Sequence, residues 1–80
     1  MNKAVLESKM KLFGDNQSRL AEVLGISVQR FNAKLNQTDG AQFTQGEIAI
    51  IIIRYNLTPV EIYVIFFGGS VSLLDTNGRK

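Results

Sequence analysis

The sequence predicts an all-α domain of five short helices, and two sets of signals lead there. Good N-cap residues stand at Asn2, Asn16, Ser27, Thr44 and Thr58, each ahead of apolar residues spaced three and four apart. Glycines at Gly14, Gly25 and Gly68 stand where three of these stripes stop.

Asn2 opens a first helix that runs through Phe13, with Leu6, Met10 and Phe13 on one side. Asn16 opens the second, which buries Leu20, Ala21 and Leu24 and ends at Gly25, because glycine reaches positive φ without a steric penalty. Ser27 caps a third, in which Phe31 and Leu35 share one face and dock against Leu20 and Leu24. The segment from Asn36 to Phe43 reads as a polar loop around Thr38, Asp39 and Gly40. Thr44-Gln-Gly-Glu47 has capping-box spacing and opens the fourth helix. Thr58-Pro-Val-Glu61 repeats that signal for the fifth, with Pro59 at the first helical position, where its missing N–H costs nothing. The domain is expected to span residues 1–69, with 70–80 as a tail. Terminal disorder is the default expectation there.

Two helices bent around one glycine form the arrangement by which a helix-turn-helix offers its second helix to DNA. With Phe31 and Leu35 inward, the direction farthest from the core belongs to Ala33, then Gln29 and Gln37, then Arg30 and Asn36, with Asn32 and Lys34 on the flanks. That outer face carries no carboxylate. Between Val23 and Thr38 the only charges are Arg30 and Lys34, while acids occur on either side at Glu22 and Asp39. The sign suits phosphate. A plain solvated hairpin is the alternative, but an acid-free face is more than a hairpin needs.

Base-edge readout is expected from this helix. Gln29 suits a bidentate contact to adenine, Arg30 or Asn32 a neighbouring base, Ala33 a thymine methyl, and Val28 lies at the opening turn beside them. Lys34, Asn36, Thr44 and Gln45 are placed for phosphate, the last two beside the free N–H groups of a helix N-terminus.

Ile48-Ala-Ile-Ile-Ile-Ile53 and Ile62-Tyr-Val-Ile-Phe-Phe67 are apolar all round, where a helix burying one stripe alternates with polar residues. A strand reading suits the β-branched content, but the capping boxes favour helix. Ile48, Ile51, Ile52 and Tyr55 make one core face, leaving Ile50 and Ile53 in excess; Val60, Val64 and Phe67 compete with Ile62, Ile65 and Phe66 for the inside. Monomeric domains seldom leave large apolar patches in water, so Ile50, Ile53, Val64 and Phe67 are expected at a homodimer interface. A two-fold dimer sets two recognition helices about 34–36 Å apart, one turn of B-DNA, and reads a pseudo-palindromic site.

Composition narrows the remaining classes. Eighty residues hold one core, and help from a partner subunit is in keeping with that size. With no cysteine and no histidine, the chain lacks disulfides, the commonest zinc ligands and the commonest general base, so no catalytic residues, metal or cofactor are expected. The net charge of +2 and isoelectric point near 9.2 agree with a nucleic-acid binder without requiring one. No apolar run follows Lys3, which argues against a secretory signal and for a cytoplasmic location. Arg54, Asn56, Pro59 and Glu61 interrupt the lipophilic stretch, and each mid-membrane charge costs about 2.5–3.5 kcal/mol, so no membrane span is expected.

The motif Gln17-x-x-Leu20-Ala21-x-x-Leu24-Gly25-Ile26-Ser27, followed by Phe31, Lys34, Leu35 and Asn36, resembles the lambda-repressor/Cro-like helix-turn-helix family, in particular small phage-type repressors. The likeness continues through Phe43-Thr-Gln-Gly-Glu-Ile48, Tyr55-Asn-Leu-Thr-Pro59, Glu61, Ile62, Phe66 and Phe67, and so covers residues 5–67. It implies a sequence-specific DNA-binding transcription regulator, with Gln17 and the adjoining Ser18 holding phosphate at the start of helix two. Two positions depart from the family. Gln37 stands where glycine usually follows the recognition helix, and Val28, at the position of the residue that braces Gln17, has no side-chain hydrogen bond to offer. A second function class stays open: a protein-binding modulator that engages another repressor through the apolar faces of helices four and five.

Overall fold

The computed structural model describes residues 1–68, and the expectations for the tail lie outside the described residues. Five α-helices follow one another: α1 (Lys3–Leu12), α2 (Gln17–Leu24), α3 (Val28–Asn36), α4 (Gln45–Tyr55) and α5 (Pro59–Phe67). A single 3-10 turn at Thr38–Gly40 interrupts the loop after α3, and no strand occurs among the described residues.

Each expected cap is made. Asn2 Oδ1 accepts from the Val5 amide, Asn16 Oδ1 from Arg19 and Ser27 Oγ from Arg30, at 3.2, 2.8 and 3.1 Å. Thr44 with Glu47 and Thr58 with Glu61 close reciprocal capping boxes, so four otherwise orphaned amides at two helix starts are satisfied by two side-chain pairs. Gly25 ends α2 at φ +75°, and Gln37 ends α3 in the same left-handed region at φ +54°. Position 37 therefore holds a side chain in a backbone region where glycine is preferred.

The core is continuous. Leu6 and Met10 of α1, Leu20 and Ala21 of α2, Phe31 and Leu35 of α3, Phe43, Ile51 and Tyr55 of α4 and its approach, Leu57 and Ile65 form one buried cluster. The competition on α5 is won by Ile65, with Ile62 and Phe66 packed against the core from its margin. α5 lies along α1, tied by the Asn2 amide donating to the Ile65 carbonyl at 2.9 Å and by a 2.6 Å ion pair between Lys9 and Glu61. No described helix is long and apolar enough to cross a membrane.

The excess apolar residues face outward. Ile53 is 79% exposed, Phe67 71% and Val60 52%, while Ile50 is less exposed and Val64 half-buried. On α5, Val60, Tyr63 and Phe67 follow the i, i+3, i+7 spacing of one helix face, and the Tyr63 and Phe67 rings stack at a 6.3 Å centroid distance.

Candidate nucleic-acid interface

α2 and α3 meet across the Gly25 turn and present α3 lengthwise to solvent. The helix is oriented by Phe31 and Leu35, both buried, so its opposite side carries exposed Gln29, Arg30 and Asn36, with Gln37 at its C-cap; Val28 lies on the Phe31–Leu35 stripe and is exposed at the first turn. Ala33, expected at the most outward position, is only half-exposed.

One flank of α3 is a line of side-chain amides. Asn32 Nδ2 donates to Gln17 Oε1 at 2.6 Å; Asn36 Nδ2 donates to Asn32 Oδ1 at 3.3 Å and to the Asn32 carbonyl at 3.0 Å; Lys3 Nζ donates to Asn36 Oδ1. The brace on Gln17 that Val28 cannot supply thus comes from one turn further along, at Asn32. Asn32, expected at a base edge, is held within this line. Its carboxamide is engaged at both ends, so it holds the first residue of α2 against α3. Lys3 is a cation the sequence reading missed. It stands in the first turn of α1 with no local motif around it, and only the packing of α1 brings it to the C-terminal end of α3.

The other flank overturns the expectation for Lys34. Its side chain is buried, with the residue 6% exposed, and Nζ donates to both carboxylate oxygens of Glu47, at 2.7 and 2.8 Å. Burial alone raises the Glu47 carboxyl, but hydrogen bonds from Lys34 and the Thr44 amide outweigh it and hold the group below its ordinary value. An ammonium enclosed in this way is not a phosphate contact. The positive charge near the outer face comes instead from Arg30 and Lys3.

The ends of α2 and α4 complete the surface. Ser18 is exposed and Gln17 half-buried at the start of α2; Thr44 and Gln45 are exposed at the start of α4, where free backbone N–H groups and the helix dipole favour an anion. Because Gln17 is bonded to Asn32 and Glu47 to Lys34, these two helix starts lie against opposite flanks of α3: residues two apart on a helix point about 200° apart. An exposed polar helix between two anion-favouring ends can place side chains on base edges while backbone amides meet the phosphates on either side.

Comparison of the chain with protein-family models, curated proteins and solved structures finds no match.

Proposed function

We propose that this chain is a cytoplasmic, sequence-specific double-stranded DNA-binding regulator of transcription of the lambda-repressor/Cro-like kind, acting as a homodimer on a pseudo-palindromic operator. The observation that carries the reading is α3 itself: a helix anchored by Phe31 and Leu35 whose solvent side holds Gln29 and Arg30 and no carboxylate. Gln29 is assigned to an adenine edge and Arg30 to the neighbouring base or phosphate, with Val28 and Ala33 as apolar contacts to thymine methyls. Gln17, Ser18, Asn36, Thr44 and Gln45 are assigned to the backbone, joined by Lys3.

Dimerisation is supported by Ile53 and Phe67, exposed over most of their surface, with Ile50 and Val64 beside them in sequence register. It also has a thermodynamic reason. With Lys34 neutralised internally, each subunit offers few cations to phosphate, and linking two weak sites raises the effective affinity of both.

The test is selection of binding sites from a randomised duplex pool at low and moderate salt, beside size-exclusion chromatography with and without the selected duplex. Enrichment of an inverted repeat bound by two chains supports the reading. If no duplex is bound even in dilute buffer, the reading fails, and the apolar faces of α4 and α5 become the working surface of a modulator of another repressor.

A further inference from the structure

We propose that the buried Lys34–Glu47 ion pair is a positioning element of the DNA-contacting surface, fixing the rotation of α3 against α4, and is not a phosphate contact. The inference rests on the DNA-binding reading above and deepens it.

The geometry makes the pair directional. Glu47 is the third residue of α4, and its Oε1 also accepts the Thr44 amide at 2.8 Å while the Glu47 amide donates to Thr44 Oγ1 at 3.1 Å. The carboxylate is therefore locked to the first turn of α4 and cannot follow a moving partner. Lys34 must come to it. Turning α3 by one residue, about 100°, withdraws the ammonium and leaves two buried charges without partners, a far larger penalty than losing an exposed pair. On the opposite flank Asn32 is bonded to Gln17 at 2.6 Å, so α3 is held from both sides while its outer face is left for contact.

Stability is not a sufficient account of the pair. Taking two charges out of water costs about as much as their attraction returns, and apolar residues of similar size often serve the fold as well or better. This chain fills much of α4 with isoleucine yet places a lysine and a glutamate at this contact. What an ion pair adds over an apolar contact is a demand for one relative orientation, and the surface on either side of α3 has use for it.

Glu47→Gln separates the two roles by the sign of its effect. Glutamine retains the capping bond through its side-chain oxygen but releases the Lys34 charge. As a positioning element the pair requires that Glu47→Gln weaken binding to the selected duplex about tenfold, the size of effect carried by residues that touch no ligand, with the dependence of log K on log salt unchanged. Lys34→Met is expected to do the same, and the double variant to lose no more than either single one. Affinity is referred to the folded fraction from thermal melts, which removes a loss caused only by unfolding. Where Lys34→Met does not fold, Lys34→Gln takes its place, and the Glu47→Gln result stands by itself.

Three outcomes overturn the proposal: tighter binding with a steeper salt slope in Glu47→Gln, a slope lowered by about 0.9 in Lys34→Met, as for a lost phosphate contact, or wild-type affinity in both. A wild-type chain that selects no duplex overturns the DNA-binding reading and this inference with it, which distinguishes that failure from the others.

Discussion

Asp15, in the turn before α2, and Arg54, in the last turn of α4, are joined by two side-chain hydrogen bonds of 2.7 and 2.9 Å, and the Tyr55 hydroxyl adds a third to Asp15 at 2.6 Å. The carboxylate side chain is only 4% exposed, so its charge is satisfied almost wholly by these two neighbours. The start of α2 is thereby attached to the far end of α4.

Acid should loosen this attachment. The bonds from Arg54, opposed by burial and reinforced by Tyr55, lower the Asp15 carboxyl from 3.8 to about 2. A carboxyl depressed on folding contributes stability that is present above its unfolded value and lost as the pH falls through its folded one, here between about pH 4 and pH 2. The contribution is on the order of 1 kcal/mol after solvent screening. Urea titrations of the wild type and Asp15→Asn from pH 6 to pH 2 check it: the variant should be less stable near neutrality, and the gap should close toward pH 2. At the alkaline end, burial and the bond to Asp15 raise the Tyr55 hydroxyl above its ordinary value of 10.0, so its contribution is present below that pH and is lost as the pH rises further.

Gln29→Ala removes the most outward amide of α3 and leaves its packing untouched. The expected cost is about 1–3 kcal/mol at one base pair of the selected site, with relaxed choice at that position and no change elsewhere. Repeating the site selection with the variant reads this directly, and an unaltered preferred sequence would show that α3 faces DNA by another side.

Gln37 holds a left-handed backbone that costs a side chain roughly 1 kcal/mol. Gln37→Gly relieves that cost but gains freedom in the unfolded chain and gives up the exposed 3.2 Å hydrogen bond that Gln37 Oε1 accepts from the Met1 ammonium, for a net stabilisation of at most about 0.5 kcal/mol and a rise in Tm of at most about 2–4 °C. Calorimetry measures the shift; a lowered Tm would mean that the Gln37 side chain contributes more than its exposed position suggests.

Ile53→Lys and Phe67→Lys place charge on the two most exposed members of the proposed dimer interface. Neither side chain belongs to the buried core cluster, so the stability of the monomer should change by less than about 0.5 kcal/mol for Ile53→Lys and by about 0.5–1.5 kcal/mol for Phe67→Lys, which gives up the stack on Tyr63. Sedimentation should report monomers, and binding to the inverted repeat should weaken and lose its cooperativity. Dimers that persist in both variants would place the contact elsewhere.

Much of the architecture was legible because it is local. Asn2, Asn16, Ser27, Thr44 and Thr58 act on amides three residues downstream, and Gly25 acts on its own φ, so a short window of sequence contains both partners of each interaction. The stripe of Ile48, Ile51, Ile52 and Tyr55 was legible for the same reason, and its complement, Ile50 and Ile53, emerges on the exposed side. The flank positions of α3 were not legible at this level. Helical geometry places Asn32 and Lys34 about 80° from the core direction, an angle that fits solvent or a neighbouring helix equally well.

What decided between them was contact over long sequence separations: Lys34 with Glu47 thirteen residues on, Asn32 with Gln17 fifteen back, Arg54 with Asp15 thirty-nine away. Periodicity and capping chemistry determined, from the chain alone, that five helices form, where they begin and, for α2 to α4, which stripe faces the core, while on α5 two apolar faces were left in competition. Tertiary packing alone determined which polar side chains are consumed inside the molecule and which are left to meet a partner. A charge is free or occupied according to what the fold brings within hydrogen-bonding distance, and that distance has no counterpart along the sequence.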